Sequence, residues 1–164
     1  MRKKARAPVN LQPDLVPRPL WRQSAYRKLG RGKDWRCIRQ DTLEASGSRC
    51  EACGASTPPL FCHEKWDYNE TTNTATLVGF EMLCDPCNWA VHIGLAGLRG
   101  HLQDARAQLA RVNRMTPPEV RALIERATQD WKRRSRMRWR IAIKHRLLEA
   151  YPQLRAFAAT RRKD

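Results

Sequence analysis

Residues 50–53 read Cys-Glu-Ala-Cys, and residues 84–87 read Cys-Asp-Pro-Cys. Two Cys-x-x-Cys pairs separated by a hairpin-sized insert are typical of a tetrahedral site in which four thiolates bind one structural Zn²⁺ ion. Structural zinc adds roughly 10 kcal/mol or more of folding free energy in small modules, which a hairpin with few core residues needs. The spacing therefore predicts a zinc site whose ligands are Cys50, Cys53, Cys84 and Cys87.

The segment between the two cysteine pairs has the pattern of a β-hairpin. β-prone residues at 60–68 and 74–83 flank a polar turn at 69–73, as the two strands of a hairpin flank their turn. The remaining cysteines, Cys37 and Cys62, lie outside the zinc pattern. Both are expected to be ordinary buried thiols; the lesser alternative for Cys62 is a role as a spare ligand.

A helix is predicted on each side of this hairpin. Residues 35–45 form the first, with Asp34 as its N-cap and Gly47 as its stop signal. The second covers residues 88–96, directly after the second cysteine pair.

Two further helices are predicted downstream. One covers residues 101–112, and the other begins with a capping box in which Thr116 is the N-cap, Pro117 the first helical residue and Glu119 the reciprocal partner. Apolar residues at helical spacing then indicate one face packed on the core. This last helix is expected to continue, or to kink, through a basic stretch and to end near Tyr151.

The formal net charge of +16 at pH 7 is concentrated at the two ends of the chain. Residues 1–36 contain 11 Lys and Arg against 2 acids, residues 131–164 contain 12 against 2, and the segment between them contains 9 against 12. Basic ends around a near-neutral middle predict a polyanionic partner, because each Lys or Arg that meets a phosphate releases condensed counterions. Nucleic acid, DNA more than RNA, is the expected partner.

The segment 131–139 interleaves tryptophan with arginine. This composition suits stacking on bases and contact with phosphates, although Trp131 and Trp139 taken singly fit core positions better. A membrane-surface helix would instead require a clean apolar face. The candidate nucleic-acid-binding residues are Lys132, Arg133, Arg134, Arg136, Arg138 and Arg140.

Nothing in the composition indicates a membrane span or a signal peptide. The sequence contains no apolar run of about 18 residues, and the basic start at residues 1–4 leads into Pro8 and Pro13 rather than an apolar segment. The expectation is a soluble, cytoplasmic protein, in which free thiols are more common than disulfides.

The order of motifs after the first cysteine pair is distinctive. A strand containing His63-Glu64 comes next, followed by Leu83-Cys84-x-x-Cys87-Asn88-x-x-x-His92. This order resembles the zinc-knuckle branch of the HNH endonuclease family over about residues 34–96. Further runs at 61–68, 77–80 and 92–94 look like bacterial and phage HNH-like proteins. The resemblance implies an α+β fold with a small ββα-metal core and one catalytic divalent ion, Mg²⁺ or Mn²⁺.

The resemblance also assigns roles to the candidate catalytic residues. In the family pattern two adjacent residues of the first strand supply a metal ligand and the general base. Here these are His63 as ligand and Glu64 as base or, if the register slips by one residue, Cys62 as ligand and His63 as base. Asn88 and His92 lie four residues apart, hence on one helix face, where the family usually offers two histidines; His92 joins His63 as a ligand of the divalent ion.

Two hypotheses follow from these assignments. The first is a metal-dependent HNH nuclease that cleaves DNA phosphodiester bonds. The second is an HNH-fold nucleic-acid-binding protein with weakened or lost cleavage, for example as a subunit of a larger complex. The second is motivated by Gly79, which stands where the family has a central asparagine, and by Asn88, which stands where it has a histidine.

The length of 164 residues fits one core with extensions better than two full domains. The predicted division is a basic, proline-containing arm at 1–33, the HNH-like zinc-knuckle domain at 34–96, a helical extension at 97–150 and a basic tail at 151–164.

Overall fold

The structure is a computed structural model that describes residues 10–158. It confirms an α+β protein with one small sheet. The described residues form a short 3-10 helix (Arg18–Leu20) and three strands, β1 (Leu60–Asn69), β2 (Thr74–Cys84) and β3 (Arg140–Ile143). The helices are α1 (Ala25–Leu29), α2 (Lys33–Ala45), α3 (Asp85–Val91), α4 (Ile93–Arg99), α5 (Leu102–Asn113), α6 (Pro117–Arg134), α7 (His145–Ala150) and α8 (Leu154–Ala158). Residues 1–9 of the predicted arm and residues 159–164 of the predicted tail lie outside the described range.

The sheet has the strand order β1-β2-β3, so among residues 10–158 one edge of β1 is free of a paired strand. Strands β1 and β2 form the predicted antiparallel hairpin. Its register changes where Lys65 pairs with Gly79 and Trp66 with Leu77, which leaves Val78 as an extra residue on β2. Such a bulge shifts all pairing beyond it by one residue.

Local sequence signals located several elements correctly. The hairpin, α5 and the start of α6 match their predicted positions within one or two residues. Thr116 and Glu119 form the capping box, with the Thr116 N–H donating to Glu119 Oε2 over 2.8 Å. Gly47 follows the end of α2 with a φ of 61°, the left-handed conformation that glycine adopts freely after a helix. The N-cap of α2 is Gly32 rather than the predicted Asp34, which lies in the first turn.

The predicted helix at 88–96 is wrong as a single element, because α3 and α4 are separated at His92. The arm explains this break. The backbone N–H of Asp14 donates to the Val91 carbonyl oxygen over 2.9 Å, which in a continuous helix would accept from the residue four positions later. Leu15 then packs so closely on α4 that a Cβ at Gly94 would lie 3.2 Å from Leu15 Cδ2.

The predicted continuation of α6 to Tyr151 is also wrong. The helix ends at Arg134, and the chain returns as β3 in parallel pairing with β2. Trp139 is 2% exposed just before this strand, and its indole N–H donates to the Arg134 carbonyl oxygen over 2.9 Å. Burial of this side chain turns the basic stretch back onto the sheet.

Two main groups of buried residues hold the elements together. One surrounds the cysteine pairs and includes apolar residues of α3, α4, α5 and α6. The other lies between the sheet and α1, α2, α7 and α8. The arm contributes Leu11 and Leu20, which are 2% and 5% exposed. In the described part of the chain, no helix is both long enough and apolar enough to cross a membrane.

Candidate metal centre and histidine cavity

The four predicted cysteines converge in space. The Sγ atoms of Cys50, Cys53, Cys84 and Cys87 all lie within 4.8 Å of one another. The sulfurs of Cys53 and Cys84 are 3.5 Å apart. A tetrahedral Zn²⁺ ion with Zn–S bonds of about 2.3 Å requires sulfurs separated by about 3.8 Å, so this cluster has the dimensions of a four-thiolate metal site.

The first cysteine pair is positioned by a turn that is bound to β2. Cys50 and Cys53 lie in a tight turn, where the Gly54 N–H donates to the Cys50 carbonyl oxygen over 2.7 Å. The turn is fixed to β2 twice, since the Glu51 N–H donates to the Met82 carbonyl oxygen and the Met82 N–H donates to Glu51 Oε2, both over 2.8 Å.

Helix α5 adds a polar contact that the sequence analysis did not predict. Gln108 is buried, and its Nε2 donates to Cys87 Sγ over 2.9 Å. Groups that donate hydrogen bonds to metal ligands orient them and stabilise their charge. The donor suits a thiolate at Cys87.

Among residues 10–158, neither Cys37 nor Cys62 belongs to this cluster. The prediction of a buried thiol is wrong for Cys37, which is exposed. Cys62 is half-buried on β1, and burial raises its pKa to about 11.

A second feature is a pair of histidines brought together by β1 and α3. The ring centroids of His63 and His92 are 5.0 Å apart. His63 Nδ1 lies 3.5 Å from Glu81 Oε1 on the paired strand. Burial, with a smaller contribution from His63, lowers the pKa of His92 to about 4. His92 is therefore a neutral imidazole near pH 7, the form that binds metal ions.

Glu64, the neighbour of His63, has a different environment. Adjacent side chains of a strand point to opposite faces, and Glu64 points towards the start of α1. Its Oε1 accepts from the Tyr26 N–H over 3.0 Å, and its Oε2 accepts from the Trp66 indole N–H over 3.1 Å. The residue is 9% exposed, and burial raises the pKa of its carboxyl group.

All four predicted catalytic residues line one cavity of about 850 Å³. It follows the free edge of β1, since residues from both faces of that strand contribute to it. Asn88 lies one helical turn before His92, whose N–H donates to the Asn88 carbonyl oxygen over 3.0 Å. The structure thus brings His63, Asn88 and His92 to one part of the molecule.

Asp14 is a further cavity residue that the sequence analysis missed. Burial raises the pKa of its carboxyl group, while His63 and Arg134 act in the opposite direction. No motif surrounds Asp14 in the sequence, because it comes to the cavity only through the path of the arm. Glu81 was missed for another reason, the bulge at Val78. If the register of residues 66–69 continued without this bulge, His63 would pair with Phe80 instead.

The six basic candidates divide into two groups. Arg133 binds Glu70 and Asp130, and Arg134 binds Glu70, with N–O distances of 2.6 to 2.8 Å. The other four side chains are exposed: Lys132, Arg136, Arg138 and Arg140.

The fold and the site together define an α+β protein with a four-cysteine cluster of the dimensions of a metal site and with a histidine-containing cavity. Comparison of the chain with protein-family models, with curated protein sequences and with solved structures finds no match.

Proposed function

We propose that the protein is a metal-dependent nuclease of the HNH type that acts on DNA, with Zn²⁺ as the structural ion of its cysteine cluster. The observation that carries this proposal is the meeting of His63 and His92, with ring centroids 5.0 Å apart, in the wall of an open cavity. Strand β1 of the hairpin carries His63, and α3 ends at His92. This is the arrangement that the resemblance to the HNH family implies.

In this proposal His63 is the general base that takes a proton from water. Its Nδ1 faces the Glu81 carboxylate, which stabilises the imidazolium that forms when the other ring nitrogen accepts a proton. Glu64 is less suited to this role, because both its oxygens accept hydrogen bonds inside the protein.

His92 and Asn88, which line the cavity together with Asp14, would hold Mg²⁺ or Mn²⁺. When bound, such an ion stabilises the negative charge that develops on a scissile phosphate. Oxygen donors suit these hard divalent ions, and a neutral imidazole offers a lone pair to a metal ion.

The described parts of the two basic segments, within residues 10–36 and 131–158, support a nucleic-acid substrate because they contact each other. The Arg18 guanidinium stacks 5.1 Å from the centre of the Trp131 ring. The Arg18 N–H donates to Ser135 Oγ over 3.2 Å, and the Trp131 indole N–H donates to the Val16 carbonyl oxygen over 3.1 Å. Positive charge that is separated in sequence is therefore joined on one surface.

The test is cleavage of plasmid and single-stranded DNA with Mg²⁺ or Mn²⁺. A His63→Ala/His92→Ala double variant should cleave at least about a hundredfold more slowly, since a positioned base alone contributes that much. His145→Ala is the matched control, because His145 is 85% exposed on α7 and lies outside the cavity. Equal rates for the wild type and the double variant would contradict the nuclease proposal.

A binding protein without cleavage is the second candidate. It is favoured by Asn88, which stands where the family has a histidine and is a weaker ligand, and by Gly79, which stands where the family has a central asparagine. Salt-dependent DNA binding combined with no cleavage by the wild type would support it.

A further inference from the structure

We infer that the histidine cavity binds an unpaired strand, so that the substrate is single-stranded DNA rather than duplex. This inference deepens the proposed function and rests on it only for the chemical step. It comes from the composition of the cavity rim, where exposed aromatic rings and arginines lie beside the histidine pair.

Exposed aromatic residues are concentrated at this cavity. Trp21, Tyr26 and Phe61 are 56%, 37% and 38% exposed, and all three line it. They are the large aromatic side chains most accessible to solvent among residues 10–158. Large apolar groups are seldom left in water together without a ligand to cover them.

Two of these rings are held in fixed orientations. The Trp21 indole N–H donates to the Val16 carbonyl oxygen over 2.9 Å. The Tyr26 hydroxyl accepts from Arg31 Nε over 3.0 Å, and its ring packs edge-on against Trp35 with centroids 5.1 Å apart. A ring fixed in this way presents a flat face to a ligand at little entropic cost.

Positive charge accompanies the rings. Three arginines line the same cavity: Arg22, Arg27 and Arg39. The backbone of Arg22 has a φ of 67°, a conformation uncommon outside glycine. A groove that combines cations for the backbone with aromatic faces for the bases is the usual design for single strands. In a duplex the base faces are covered by neighbouring bases, so these rings would have nothing to stack on.

Binding is measured with labelled DNA of about 12 nucleotides, as a single strand and as the matching duplex, without added Mg²⁺ or Mn²⁺. Wild-type protein should bind the single strand at least about fivefold more tightly than the duplex. Trp21→Ala should weaken single-strand binding by about fivefold or more, and Trp21→Phe should restore most of it. Leu98→Ala is the control, because Leu98 is 84% exposed and lies outside the cavity.

Equal affinity for single strand and duplex would overturn the inference, as would single-strand binding by Trp21→Ala that matches the wild type. An Arg27→Gln variant separates stacking from charge: it should lower the log–log salt slope by about 0.7, whereas Trp21→Ala should leave that slope unchanged. Because no divalent ion is added, binding is measured whether or not the protein cleaves. Failure of this inference is therefore distinct from failure of the nuclease proposal.

Discussion

Glu64 and His63 are adjacent in sequence but make different contacts. Glu64 accepts hydrogen bonds from the start of α1 and from Trp66, whereas His63 faces Glu81 and His92. The first environment fixes a helix to a strand, and the second leaves an imidazole at the wall of a cavity. The two neighbouring candidates for the base thus differ: Glu64 is bound within the protein, and in the proposed function His63 is the base.

Substitutions of Glu64 test this division. Glu64→Ala leaves the Tyr26 N–H and the Trp66 indole N–H without acceptors, so it should lower the free energy of unfolding by about 2 kcal/mol or more. Glu64→Gln retains an acceptor oxygen and should keep cleavage within about tenfold of the wild type, well above His63→Ala. Urea unfolding and initial cleavage rates measure the two effects. A Glu64→Gln rate as low as that of His63→Ala would instead identify Glu64 as the base.

Gln108 provides a test at the cysteine cluster. Gln108→Leu removes the donor to Cys87 Sγ and should lower zinc affinity by roughly 10- to 100-fold, the usual effect of losing a group that supports a metal ligand. Competition with a chromogenic chelator measures this affinity. Gln103→Leu on the same helix is the control, because Gln103 is exposed. Indistinguishable affinities of the two variants would show that the Gln108 contact does not support the metal.

The cysteine cluster could be predicted from sequence because each pair is held by its own short spacing. Asp14 and Glu81 could not, since their positions depend on the path of the arm and on the bulge at Val78. A one-residue change of register replaces every cross-strand neighbour. The cysteines are thus determined locally, whereas the surroundings of His63 are determined by the complete fold.

At the scale of elements, the hairpin is fixed to α6 through Glu70. Hydrogen bonds from Arg133 and Arg134 lower the pKa of this carboxyl group from 4.5 to about 2. A carboxyl pKa that is lower in the folded state stabilises the protein above the unfolded value and loses this effect as pH falls. The contact should therefore contribute fully above about pH 4.5 and fade towards pH 2.

Glu70→Gln isolates this contribution. At pH 7 the variant should be less stable than the wild type, by up to about 1 kcal/mol because solvent screens exposed ion pairs. The difference should shrink as pH is lowered from 4.5 towards 2. Urea unfolding of both proteins at pH 7 and near pH 3 measures it. A difference that stays constant with pH would mean that the charge of Glu70 does not fix the hairpin to the helix.

Elements with strong local signals were predictable, and those that depend on distant partners were not. The hairpin has two β-prone runs around a polar turn, and α6 has its capping box. In contrast, β3 is four residues long and exists through pairing with β2. The interruption between α3 and α4 likewise depends on Asp14, which lies 77 positions before the carbonyl group of Val91 that it binds.

At the scale of the whole molecule, the cysteine cluster connects the parts that form the cavity. Cys50 and Cys53 precede the hairpin, Cys84 ends β2, and Cys87 lies in the helix that leads to His92. A metal ion bound to all four would fix the hairpin against α3, and with it the position of His63 relative to His92. The geometry of the histidine pair should consequently depend on metal binding at the cysteine cluster.

Removal of the metal tests this dependence. A strong chelator should unfold the region 50–92, because without zinc the hairpin loses the roughly 10 kcal/mol or more that such ions supply in small modules. Far-UV circular dichroism should change, hydrogen exchange of β1 and β2 should accelerate, and Zn²⁺ should restore both. Cys53→Ser should behave like the chelated wild type, whereas Cys37→Ser should not, because Cys37 is exposed and lies outside the cluster. A native spectrum and slow exchange in β1 and β2 without zinc would refute the structural role of the metal.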